Sequence, residues 1–349
     1  MAGSIGRVSE PLPTRRLGRD GPSITSVGFG AWAIGGGDWA FGWGPQDDRD
    51  SIAAIHRALE HGVNWIDTAA AYGLGHSEEV VARALAGLSE RPLVFTKCGM
   101  VWQDQDDGVP RTNLRPEHIR RECDDSLRRL GIERIDLYQF HWPDSNTGTQ
   151  VEESWGVMAD LVRQGKVRWA GVSNFDVALL ERCEPIHHVD SLQPPFNAIQ
   201  REAGGDLLPW CAEHGTGVIV YSPMMSGLLT DRFSADRMRT MDAGDWRRGF
   251  PEFNEPALSR NLALRDALAP VAERHGVSIA ATAVAWTLAW PGVSGAIVGG
   301  RTPEQVDGWI EGGRLELSGD DLEEIARAIG ATGAGRGPVL PGLESAARG

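Results

Sequence analysis

The chain has 349 residues, and 48 carboxylates against 34 lysines plus arginines give a net charge of −14. Hydrophobic residues make up 41% and charged ones 23%, a globular balance that excludes a disordered or fibrous chain. The acidic surplus excludes nucleic acid and an anionic membrane surface as partners, because both require a basic stripe.

Short β-rich runs recur along the chain, each followed by a helical pattern. After a first hairpin over Thr14–Thr25, which contains Gly18 and Gly21, strands are predicted at Val27–Gly30, Val63–Asp67, Leu93–Lys97, Ile135–Phe140, Val167–Val172, Ser191–Gln193, Gly217–Tyr221 and Gly295–Gly299. Apolar residues at helical spacing predict helices over Asp50–His61, His76–Leu88, Arg115–Leu130, Val151–Gln164, Leu207–His214 and Asp320–Ile329. Arg115-Pro116-Glu117 has the proline and acid of a first turn, and Gly131, Gly165 and Gly215 stand where a left-handed cap follows a helix. Between the last two strands come a Gly/Arg/Asp-rich insertion, Thr230–Glu255, and helical patterns near Leu258–His275 and Ser278–Trp290. Eight strands alternating with helices predict an α/β fold, a (β/α)8 TIM barrel with long loops at its C-terminal face. One domain is expected over 1–349, with the barrel at about 14–330 and a surface tail over 331–349.

Other signals bear on location and on false leads. Four cysteines without paired spacing read as free thiols, and MAGSIGRVSEPLPTRR lacks an apolar leader core, so a cytoplasmic protein is expected. Ile279–Trp290 is too short to span a bilayer. Gly28-Phe-Gly30-Ala-Trp-Ala33 imitates a dinucleotide fingerprint, but the glycine-rich run Gly35–Gly44 follows where a helix would have to open. The adjacent His187-His188 pair has no carboxylate cluster, so no metal is expected.

In such barrels the reactive groups sit at the C-terminal ends of strands. Those ends supply Asp67, Lys97 and His141, and Tyr72 lies five residues past Asp67. Two lysines, Lys97 and Lys166, stand among 32 arginines, so a retained Lys97 points to a need for a compact ammonium. A phenol near pKa 10 is a weak acid at neutral pH. A neighbouring ammonium lowers that value, and a carboxylate keeps the ammonium charged. The imidazole can orient a substrate oxygen.

The motifs extend along nearly the whole chain, from Arg16-Leu17-Gly18 to about Ile329. They are Asn64-Trp-Ile-Asp67-Thr-Ala-Ala-Ala-Tyr72-Gly73, Thr96-Lys97, Gln139-Phe-His141-Trp-Pro-Asp144, Gly171-Val-Ser173-Asn174-Phe175, Gln193-Pro-Pro-Phe-Asn197, Tyr221-Ser-Pro223 and Gly299-Gly-Arg301-Thr-Pro-Glu-Gln305. On these the chain resembles the aldo-keto reductase superfamily, most of all bacterial reductases similar to those of inositol-catabolism clusters and more distantly the potassium-channel β subunits. The resemblance implies a catalytic tetrad of Asp67, Tyr72, Lys97 and His141, and NADPH (NADP+) bound at the barrel mouth, with NADH possible. Ser173, Asn174 and Gln193 would hold the nicotinamide carboxamide, with Tyr221 stacked on its ring. Trp32, Asp67 and Gly299 would also line the cofactor. Ser222, Pro223, Met224, Gly227 and Leu228 would cover the pyrophosphate, with Arg232 nearby. Arg301 would meet the 2′-phosphate, and Gln305 would face adenosine. Relatives often carry Glu-Asn against adenine; here Gly308 and Trp309 stand there, and Trp309 could stack instead.

The function this implies is NADPH-dependent reduction of a small-molecule aldehyde or ketone, with Tyr72 as proton donor. The alternatives are an NAD(P)+-dependent sugar or polyol dehydrogenase and a non-catalytic NADPH-sensing subunit. Trp32, Trp102 and Trp142 are the expected walls of the substrate pocket. The loops Gly35–Gly44, Met100–Arg111 and Thr230–Glu255 are expected to choose the substrate.

Overall fold

The computed structural model describes residues 11–37, 39–102, 109–242 and 244–341. The leader reading of residues 1–10, the middle of the Met100–Arg111 loop, Asp38 of the Gly35–Gly44 loop, Ala243 of the insertion and the tail from 342 onward lie outside the described residues.

A hairpin of β1 (Thr14–Arg16) and β2 (Ser23–Thr25) pairs Thr14 with Thr25 and Arg16 with Ser23. Strands β3 (Val27–Gly30), β4 (Trp65–Asp67) and β5 (Leu93–Cys98) follow. A two-residue hairpin, β6 (Met100–Val101) with β7 (Arg111–Thr112), interrupts the series. The series resumes as β8 (Ile135–Phe140), β9 (Val167–Ser173), β10 (Ser191–Gln193), β11 (Gly217–Val220) and β12 (Val293–Gly299). Strands β3–β5 and β8–β12 close in chain order into a parallel barrel, with β12 paired to β3, and helices connect them. The expected (β/α)8 barrel and its N-terminal hairpin are present.

Alternation along the strands sorts side chains by face. Trp65, Phe95, Leu137, Ile219 and Ile297 form one apolar layer with Leu17 and Ile24 of the hairpin. Two residues further along, the same faces carry Asp67, Lys97, Gln139, Tyr221 and Gly299. The pleat thus stacks a polar layer on an apolar floor. Gly28 is needed because the Trp65 ring fills the space beside it; a Cβ there would lie 2.2 Å from the indole. After Gly30 comes a short 3-10 turn, Trp32–Ile34, and no helix opens as a dinucleotide fingerprint requires.

Several boundaries differ from expectation. The predicted helix Leu258–His275 is two, Ala257–Ala267 and Ala269–His275, because Pro270 lacks the N–H that would continue the first. Helices Val177–Cys183 and Ala235–Thr240 have no predicted counterpart, each being too short for a period to show. All four cysteines are free and buried. Among the described residues no helix is long and apolar enough to cross a membrane.

Candidate active site

The barrel mouth opens into a cleft of about 1110 Å³. Asp67, at the end of β4, is 2% exposed, and Lys97, in β5, is 1% exposed. Lys97 Nζ donates to Asp67 Oδ1 at 2.5 Å, to Thr68 O at 3.0 Å and to Tyr72 Oη at 3.2 Å, which uses all three of its protons. A guanidinium would not fit these three directions from one atom, which accounts for the lone buried lysine. Tyr72 starts the turn Tyr72–Gly75. The next residue must be glycine, since a Cβ on Gly73 would lie 1.8 Å from Gly35 O. His141 follows β8, its ring edge-on to Tyr72 at 5.5 Å. The four predicted residues therefore converge.

The second carboxylate oxygen of Asp67 is also occupied. Gln193 Nε2 donates to Oδ2 at 2.9 Å and Gln139 Nε2 at 3.3 Å, while Gln193 Nε2 also reaches Gln139 Oε1 at 3.1 Å. Both protons of the Gln193 amide are thus spent inward, which leaves its Oε1 as an acceptor toward the cleft. Gln139 opens the motif that contains His141 but had no role in the sequence reading, although it lies two residues before His141 and hence on the same face. Asn174 has φ 62° and donates to His141 O at 3.0 Å and Ser173 Oγ at 3.1 Å. Its Oδ1 accepts from Tyr221 Oη at 2.9 Å.

Electrostatics modify one expectation. Burial raises the Tyr72 phenol above its ordinary value, and the opposing pull of Lys97 does not overcome it. Burial opposes the charge on Lys97, but Asp67 and Tyr72 together raise its value. Burial, and then the Lys97 charge, hold His141 well below the usual histidine range. At neutral pH the site holds a protonated phenol, an ammonium and a neutral imidazole.

Of the predicted cleft residues, Trp32, Trp142, Ser173, Asn174, Gln193, Tyr221, Ser222, Pro223, Met224, Gly227, Arg232, Gly299, Arg301 and Gln305 line the cleft. Trp102 does not, and Leu228 is buried in the core among the outer helices. Trp309 is 1% exposed and packs in that same core, and it also contributes to the cleft wall beside Gly308. Trp39, Trp43 and Trp246 were not singled out. Trp32 stacks on Trp246 at 5.0 Å and meets Trp43 edge-on at 5.4 Å, while Trp39 lies 6.2 Å from Tyr72. They come from the two glycine-rich loops already marked as substrate-facing, where no periodicity tells one tryptophan from another.

The sequence profile of the Aldo/keto reductase family matches residues 26–329. The chain belongs to the aldo-keto reductase family. It is 34% identical to the aldo-keto reductase YhdN of Bacillus subtilis over 308 residues, covering 87% of this chain and 90% of that protein. It is 32% identical to the NADH-specific methylglyoxal reductase of Escherichia coli over 329 residues, covering 90% and 98%. Among solved structures, the glycerol dehydrogenase AKR11B4 from Gluconobacter oxydans superposes with a TM-score of 0.83 at 36% identity, over 95% of this chain and 99% of that one. The protein is accordingly an oxidoreductase of the aldo-keto reductase family, whose members use nicotinamide cofactors.

This cleft fits such a cofactor. The free Gln193 Oε1 suits a carboxamide N–H. Ser222, Met225 and Ser226 have positive φ, between 46° and 56°, and Met225 N–H and Gly227 N–H close back on Ser222 O and Met224 O, so the loop makes a tight turn against the cleft. Arg232, Arg247 and Arg301 line the same cleft, a local basic patch on an acidic protein.

Proposed function

We propose that this aldo-keto reductase is an NADPH-dependent carbonyl reductase with Tyr72 as proton donor. The observation that carries the reading is Lys97 Nζ bridging Asp67 Oδ1 and Tyr72 Oη at the floor of the cleft. A reduced nicotinamide supplies the hydride when bound. Tyr72 gives its proton to the carbonyl oxygen as negative charge grows there, the developing alkoxide being the stronger base. Lys97 stabilises the phenolate left behind, and Asp67, held by two glutamines, keeps Lys97 charged and aimed. Neutral His141 positions the carbonyl oxygen through a ring N–H. Reprotonation of Tyr72 resets the site.

Ser173, Asn174 and Gln193 would hold the carboxamide, and Tyr221 would flank the ring. The Ser222–Gly227 loop and Arg232 would hold the pyrophosphate, Arg301 the 2′-phosphate, and Gln305 the adenosine. Trp32, Trp39, Phe41, Trp142 and Phe250 give the mouth apolar walls, which suits small, neutral aldehydes and ketones. The motif set also supports kinship with the reductases of inositol-catabolism clusters and a single catalytic domain, and four free thiols support a cytoplasmic setting.

A second reading is the reverse reaction, oxidation of a short polyol. The likeness to a glycerol dehydrogenase favours it, and the same tyrosine would then act as the base. Turnover is read from nicotinamide absorbance with NADPH and NADH across aldehydes, ketoses and cyclic ketones, and with NADP+ across polyols. Faster NADPH oxidation with carbonyls supports the first reading. Turnover confined to polyols would replace it with the second.

A further inference from the structure

Arg301 is held in an unusual way. Its Nε donates to Gln46 Oε1 at 2.5 Å, Nη1 to Trp43 O at 3.0 Å and Nη2 to Pro45 O. Gln46 Nε2 returns a bond to Arg301 O at 2.9 Å. All three guanidinium nitrogens are therefore oriented by one short segment of the mouth loop. Every one of those acceptors is neutral, and among the described residues no carboxylate pairs with Arg301. A second cation is close: Arg247, 7% exposed, lies 4.6 Å over the Trp43 ring. Its own charge is matched by Asp245 at 2.6 Å. Of the two guanidinium groups beside Trp43, Arg247 has the carboxylate and Arg301 keeps its charge unpaired among the described residues.

We propose that Gln46 is a specificity-determining residue for the nucleotide, holding the Arg301 guanidinium in place without neutralising it. The ligand it selects is a nucleotide carrying a 2′-phosphate. A phosphate dianion makes charge-assisted bonds roughly twice as strong as those to an amide or carbonyl oxygen, so it displaces the Gln46 acceptor from the fork. Gln46 Nε2 can meanwhile keep the Arg301 carbonyl in position. A carboxylate at the same place would neutralise the fork and repel a 2′-phosphate, whereas an acidic residue suits a ribose 2′-hydroxyl, whose hydrogen bond it accepts. Gln46 lies just past the Gly35–Gly44 segment, where no motif points to a nucleotide contact. The inference rests on the assignment of Arg301 to the 2′-phosphate.

The test is binding by isothermal titration, with adenosine 2′,5′-bisphosphate and 5′-AMP as probes. The proteins are the wild type, Gln46→Glu, Gln46→Leu and Arg301→Ala. The wild type should prefer the bisphosphate. Gln46→Glu, nearly isosteric, should cut that preference about tenfold or more, the worth of one lost charge-assisted contact, with 5′-AMP binding little changed. Gln46→Leu, which keeps the cation and its bonds to Trp43 O and Pro45 O but drops the Nε bond, should lose less. An unchanged preference in Gln46→Glu overturns the proposal, and so does an equal loss of both probes, which would place the effect in the loop's fold. Wild-type preference in Arg301→Ala would instead refute the assignment of Arg301 itself.

Discussion

Replacing Lys97 by Met removes the ammonium from a position that is 1% exposed and leaves Asp67 buried beside it. Breaking a buried ion pair by deleting one partner costs about 3–5 kcal/mol, because the remaining charge stays uncompensated. Here Gln139 and Gln193 still donate to Asp67 Oδ2, so the loss should fall at the low end, about 3 kcal/mol. Asp67→Asn strands the ammonium and should cost about as much. The double variant strands neither charge. It should lose about 3 kcal/mol in place of about 6, a coupling energy of about 2–3 kcal/mol. Chemical denaturation of the four proteins without cofactor measures the cycle, and all three variants should lack turnover. Losses that add within about 0.5 kcal/mol would show that the pair is not coupled and refute the reasoning.

Two further outcomes follow from the same site. His141 is held below its ordinary pKa of 6.5 by burial and then by Lys97, so the unfolded chain binds a proton that the fold refuses. Its contribution to stability is intact above pH 6.5 and lost as pH falls below it, by at most about 1.4 kcal/mol per unit. His141→Asn should flatten that acid limb in denaturation series, and equal slopes in the two proteins would contradict the burial argument. Gln139→Met removes a donor to Asp67 and an acceptor for Gln193 at similar volume. Its kcat should fall about tenfold, with weaker cofactor binding by fluorescence; an unchanged kcat would show that the Gln139 amide has no part in positioning Asp67.

The barrel was legible because a buried strand is short, β-rich and bounded by turns, and Val27–Gly30, Ile135–Phe140 and Ser191–Gln193 match the structure residue for residue. The period of two carried the catalytic layer as well: Asp67 and Lys97 each stand two residues past an aromatic of the apolar floor. Scarcity helped, since Lys97 is one of only two lysines and Tyr72 one of three tyrosines. The aromatic mouth was not legible. Trp39, Trp43 and Trp246 converge through loops whose path is set by glycine backbone freedom and by contacts such as Arg301 with Trp43 O, and no local pattern records such contacts. The net effect on Tyr72 was also hidden, because charge pairing can be read from a motif but depth of burial cannot.

The central claim is that Tyr72 delivers the proton. Its most direct test is Tyr72→Phe, which removes one oxygen and leaves the ring packing in place. NADPH should still bind, as nicotinamide fluorescence would record, while carbonyl reduction falls by orders of magnitude. Retained turnover in that variant would contradict the account.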